Sequence, residues 1–166
     1  MIIKDKKAAI KEVFTFLLIA ILIGLIFLFA IKTIPRIIQS SCDADEVIFR
    51  KDINTFLKKY DTYGSVNIES MILPCDYSQV CFVGNDIIGV PDFDMLGINL
   101  MIKESINNNI SYNIFLIKGS TAKPISYSNK LEVNGEGYLC IDPVGGKVKV
   151  KFTGKGKTVT IDSVNN

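Results

Sequence analysis

The run from Val13 to Ile31, VFTFLLIAILIGLIFLFAI, holds 19 consecutive residues without a charge, softened only by Thr15 and Gly24. Wound as a helix at about 1.5 Å per residue, it just crosses a hydrocarbon core about 30 Å thick. A chain carrying it is a membrane protein or passes through a membrane. Behind such an anchor the 166-residue chain leaves roughly 120 to 130 residues, enough for one domain with a single core.

Flanking charge sets the expected topology. Lys4, Lys6, Lys7 and Lys11 crowd the short N-terminal side, whereas Lys32 and Arg36 are the only basic residues close behind the run. Short Lys-rich segments stay in the cytoplasm, so the N-terminus is expected inside and the rest of the chain outside. A net charge of +2 and a pI near 8.3 are too mild for a nucleic-acid protein. The chain has no His and no Trp, so the commonest general base and zinc ligand are missing. We expect no enzyme, no cofactor and no metal centre.

All four cysteines, Cys42, Cys75, Cys81 and Cys140, lie beyond the apolar run. In an extracytoplasmic domain an even count favours two disulfides over the alternative, four buried thiols in a reducing compartment. Three connectivities are open. The preferred one links Cys75 to Cys81 across a tight turn and leaves Cys42 to pin the helical stalk to Cys140.

A cleaved secretory signal has a shorter apolar core and a small-residue site behind it, whereas this run ends in Ile31-Lys32-Thr33-Ile34-Pro35. In front of the run, Lys7-Ala8-Ala9-Ile10-Lys11-Glu12 resembles the class III signal peptide of archaeal type IV pilins and related filament proteins. The resemblance implies cleavage by a prepilin peptidase between Ala8 and Ala9, with the helix kept on the mature protein as its assembly element. It also implies a role for Glu12, a carboxylate at the mouth of a membrane helix that is costly unless paired. In pilins such a residue faces the new amino group of a neighbouring subunit. Gly24 would permit close helix approach. The plainer reading treats the lysines as topology signals and lets Glu12 reach water.

The chain is expected to fall into four segments: residues 1–12, a basic cytoplasmic N-terminus or leader; 13–34, the transmembrane helix; 35–64, an amphipathic helical stalk; and 65–166, an extracytoplasmic β domain. Pro35 is expected to break or kink the helix, and Ser41 or Asp43 to cap the helical segment behind it. Phe49, Ile53, Phe56, Leu57 and Tyr60 recur at i, i+4, i+7, i+8 and i+11, the spacing of one apolar helix face. Gly64 should end that helix.

Beyond it the period becomes strand-like. Val66, Ile68 and Ile72 alternate with Asn67, Glu69 and Met71, and Pro74 stops the strand. Val80 to Val83 should return as the second arm of a hairpin closed by Cys75 and Cys81. Met95 to Ile106 reads as a short helix or a loop. Strands are expected over 111–118, 131–133, 138–142 and 158–161, punctuated by Gly119, Pro124, Gly135, Gly137 and Pro143, with Lys147, Lys149 and Lys151 alternating against Val148, Val150 and Phe152.

Two features of the middle region carry sharper readings. Asp92 and Asp94 form an Asp-x-Asp pair able to hold a hard cation, although two carboxylates are too few for calcium and helix capping is preferred. Asn109-Ile110-Ser111 is a glycosylation sequon in a polar loop. The lysine-bearing strand is read as edge protection, with an electrostatic surface for anionic headgroups or acidic polymers as the alternative.

The expected fold is α+β: a transmembrane helix, a kink, an amphipathic helix, and an antiparallel sheet stapled by disulfides. That order of elements resembles the ladle of a type IV pilin-like protein. It implies a structural subunit of a surface filament or envelope assembly, partnered by membrane lipid and by copies of itself through the N-terminal helix. The alternative is a single-pass envelope protein that never polymerises and instead binds or scaffolds a partner. An anchored enzyme using Asp92, Asp94 or a cysteine stands well behind both.

Overall fold

A computed structural model describes residues 4–75, 77–89, 99–108 and 111–164, with side chains described from Glu12 onward. The fold is α+β, and the chain divides into two units, Met1–Ser41 and Cys42–Asn166.

The longest element is helix α1, Lys4–Lys59. Within its first unit the segment from Val13 to Ile31 is apolar on every side and its large side chains are exposed. This helix is long and apolar enough to cross a membrane. Pro35 does not end it: the helix runs through the proline. The ring removes the bond that residue 35 would donate to the carbonyl of Ile31, and long apolar helices tolerate that local loss. Ser41 and Asp43 are therefore helix-interior residues rather than caps.

In the second unit the last turns of α1 present one apolar face. Phe49, Ile53 and Leu57 are fully buried, Tyr60 is nearly so, and Phe56 packs against them. This is the face read from the sequence. The turn after α1 needs Gly154, where an added Cβ would fall 2.1 Å from the Thr62 carbonyl oxygen. Only a glycine lets that strand come so close.

Around this face stand two four-stranded sheets rather than one. The first contains β1 (Val66–Ile72), β5 (Leu131–Val133), β7 (Lys147–Gly154) and β8 (Val159–Ser163), in the order β1-β7-β8-β5. Its β1–β7 and β7–β8 pairs are antiparallel, but β5 pairs with β8 in parallel. The second contains β2 (Gln79–Val83), β3 (Ile114–Lys118), β4 (Thr121–Ser126) and β6 (Tyr138–Ile141), in the order β4-β3-β2-β6, all antiparallel.

The inner faces of both sheets and the α1 face share one core, with Val148, Val150, Phe152 and Ile161 from the first sheet and Val80, Phe82, Ile114 and Leu116 from the second. The second sheet is covered on its other side too. Helix α2 (Leu100–Asn107) and a short 3-10 turn at Asn85–Ile87 lay Ile102, Ile106 and Ile87 over Cys81, Val83, Phe115 and Ile117. Burial on both faces explains why β2 and β3 read as unbroken apolar runs while β7 alternates.

Three expectations change here. Val66–Ile72 and Gln79–Val83 do not form a hairpin, because they belong to different sheets. Thr121–Ser126 is a strand despite Pro124. It lies at a sheet edge, where the pairing skips Ile125 and a proline costs no ladder bond. Finally, β1 turns its aliphatic row outward. Val66, Ile68 and Ile72 are 55%, 58% and 69% exposed, while Met71 on the opposite face is buried. Period-two alternation leaves the choice of face open. It is decided by Met71 and Leu73, which reach the shared core, and by Glu69, which accepts a hydrogen bond from the hydroxyl of Tyr60, the residue just after α1.

Candidate assembly surface

In the first unit the residues singled out for assembly all lie on α1. Ala8 and Ala9 fall within the helix, which begins at Lys4. Glu12 is exposed and lines a shallow recess with Thr15, Phe16 and Ile19. A carboxylate beside aliphatic side chains is tolerable at a membrane boundary and costly within the hydrocarbon unless a partner meets it. Gly24 is open: a Cβ there would touch nothing within 4 Å. The bare helix surface at this point would let another helix approach closely.

The exposed apolar residues do not stop at Ile31. Ile34, Ile37 and Ile38 are also exposed, beyond Lys32 and around Arg36. Counted from Val13 to Ile38, the helix carries apolar surface over about 39 Å, longer than a hydrocarbon core of about 30 Å.

In the second unit the cysteines are paired, but not as preferred from the sequence. Cys42 joins Cys75 with Cα atoms 5.5 Å apart, and Cys81 joins Cys140 at 4.1 Å. The reason is the placement of the strands. Cys81 and Cys140 stand directly opposite each other on β2 and β6, on the face of the second sheet that α2 covers. Cys75 lies on the connection between the two sheets, not at a hairpin, so no tight turn brings it to Cys81. Cys42 is two helical turns before Phe49, which puts it on the inward face of α1.

A set of polar contacts that the sequence did not announce binds this part of α1 to the sheets. Lys123 on β4 donates to Glu46 at 2.8 Å, and the Tyr77 hydroxyl donates to the same carboxylate oxygen at 3.2 Å. The bond to Glu46 holds the Lys123 ammonium above its ordinary range. Burial, reinforced by the Glu46 charge, raises the Tyr77 hydroxyl. Asn54 and Ser126 exchange hydrogen bonds at 3.0 and 3.1 Å. The sequence signal for these pairs is only a polar residue at the border of an apolar helix face.

Asp92, Asp94 and Asn109 lie outside the described residues. Among the described residues no group of three or more His, Cys, Asp or Glu side chains is placed to hold a metal ion. Comparison with family models, curated proteins and solved structures returns no match. What the chain does must therefore be argued from its own surfaces.

Proposed function

We propose that this protein is a membrane-anchored structural subunit, pilin-like in organisation, whose N-terminal helices pack against one another while the disulfide-bonded β domain stands outside the membrane. The reading draws its main support from α1. A simple anchor needs about 20 apolar residues, whereas this helix keeps exposed isoleucines past Lys32. Apolar surface longer than the hydrocarbon core reaches the headgroup region, where a large apolar patch marks an interaction site, and a second copy of the helix would cover it. Glu12, the open surface at Gly24 and the lysines ahead of the run are consistent with that packing and with a cytoplasmic N-terminus. The two disulfides support an oxidising location for the domain.

Intact mass of the membrane-extracted protein, with and without reduction, tests the reading together with electron microscopy of sheared surface material. The expected result is an N-terminus at Ala9, four oxidised cysteines and filaments containing the chain. An N-terminus at Met1 together with monomers in the native membrane would overturn it in favour of a non-polymerising envelope protein.

A further inference from the structure

Among the described residues the two sheets have four edges, and three of them are blunted. β5 is only three residues long and β6 only four. β4 carries Lys123 and Pro124 at a register shift. Short length, lysine, proline and irregular pairing are the devices that stop an edge from recruiting another strand. β1 has none of these four, and its single charged side chain, Glu69, points inward to the Tyr60 hydroxyl. It is seven residues long, VNIESMI, holds no lysine or proline, and keeps regular register with β7 throughout.

The hydrogen bonds settle which groups of β1 are open. Gly154 N–H donates to the Ser65 carbonyl, and Leu73 N–H donates to the Gly146 carbonyl. Bonding to the neighbour alternates along an antiparallel strand, so residues 65, 67, 69, 71 and 73 bond to the β7 side. The N–H and C=O groups of Val66, Ile68, Ser70 and Ile72 point away from it. Among the described residues no strand pairs with that edge. The same residues carry the exposed aliphatic row, so backbone and side chains together present an unfilled strand position.

We infer that the occupant is β1 of a second copy, paired antiparallel about Ile68. In this register Ile68 faces Ile68 of the other copy and Val66 faces Ser70. On the inner face Asn67 lies opposite Glu69, an amide facing a carboxylate, which avoids two glutamates meeting. The lysine rows of the two β7 strands stay three strand spacings apart, about 14 Å, beyond the screening length at physiological salt.

A second copy fits better than a soluble partner because the seam is short. Seven residues bury much less than the roughly 1,200 Å² that free partners need for a stable complex. Copies held in one membrane meet at high effective concentration, which compensates for the small area. This seam rests on the β domain and on a shared membrane only, independently of helix packing or filament formation.

The test is a symmetric cross-link in native membranes. In full-length protein carrying Ile68→Cys, the two Cα atoms would lie about 5.5 Å apart, within disulfide range. Mild oxidation should give a dimer whose linked peptides map residue 68 to residue 68. Adding Ser70→Pro, which removes an outward-facing N–H and no bond to β7, should cut the dimer at least tenfold with both native disulfides intact by mass. Should the proline disturb those disulfides, Val66→Lys serves instead. Glu104→Cys, exposed on α2, should give no dimer. A 68–68 link at the yield of the Glu104→Cys control, a link insensitive to the edge substitutions, or a link to a different protein overturns the seam. A 68–68 link in protein whose N-terminus is Met1 and whose sheared surface material holds no filaments keeps the seam and removes the filament reading.

Discussion

One helix, α1, meets two different surroundings, and comparing its halves shows what decides where a helix goes. From Val13 to Ile31 every side is apolar and every large side chain is exposed. From Phe49 onward the apolar residues keep to one face, with Phe49, Ile53 and Leu57 buried and Arg50, Lys51, Lys58 and Lys59 exposed. The backbone is helical in both. What differs is how hydrophobic side chains are distributed around the axis: an all-round coat needs lipid or other helices, and a single stripe needs a folded domain. The β sheets repeat the lesson. β2 and β3 of the second sheet, covered on both faces, are apolar on both; β7 of the first alternates, with its lysines outside.

The strongest test of this contrast is truncation of a matched aromatic in each half. Phe49→Ala should destabilise the β domain by about 3–5 kcal/mol through lost burial and a residual cavity, measured by denaturant unfolding in detergent. Phe16→Ala should leave domain stability within about 0.5 kcal/mol of the parent. Equal losses from the two would abolish the distinction.

Removing either disulfide should cost about 2–4 kcal/mol by restoring freedom to the unfolded chain. Replacing Cys81 and Cys140 with serine should cost slightly more than replacing Cys42 and Cys75, because 59 residues rather than 33 separate the pair and a longer loop gains more freedom when opened. Peptide mapping should recover the 42–75 and 81–140 links. Recovery of a 75–81 link would place β1 and β2 in one hairpin and undo the two-sheet arrangement.

Leu25→Lys should oppose membrane insertion by about 3 kcal/mol, the penalty for a lysine near the centre of a spanning helix. Ile48→Lys, at an exposed position of the domain half, should leave insertion unchanged. The readout is the fraction of chain that resists carbonate extraction, and similar behaviour of both variants would mean that the first half is not in lipid.

The smallest effect concerns pH. Lys123 and Tyr77 both bind their protons more tightly in the folded domain, against ordinary values of 10.5 and 10.0. The stability they contribute is therefore complete below those values and is lost as pH rises through the raised folded values. Thermal midpoints should fall above about pH 10, and Glu46→Gln should flatten that fall while costing about 0.5 kcal/mol at neutral pH, as expected for a partly exposed pair. An unchanged alkaline limb in the variant would show that Glu46 does not hold these groups.

Much of the fold was legible because it is written in local periodicity. The apolar run, the stripe from Phe49 to Tyr60, and the strands around Leu131, Tyr138, Val150 and Val159 each declare themselves within a few residues. Pro35 does not break α1, because the lost bond is a local cost that a long helix absorbs. Pro124 misled, since its penalty depends on whether the strand is central or at an edge, which the chain does not announce. Glu12 and Gly24, the residues proposed for assembly, were legible as positions on a helix. The open edge of β1 was not, because exposure of Val66, Ile68 and Ile72 depends on which face meets the core.

From its order of residues alone the protein obtains a membrane-length helix, a domain behind it, and four cysteines placed beyond the apolar run. Those properties depend on hydrophobic length and spacing, which act over neighbouring positions. Tertiary structure alone decided that the strands divide into two sheets, that Cys42 meets Cys75 and Cys81 meets Cys140, and that β1 turns its aliphatic side to solvent. Each of these choices is made between segments far apart in the chain, where many local patterns are equally satisfied and only the packing of the shared core selects one.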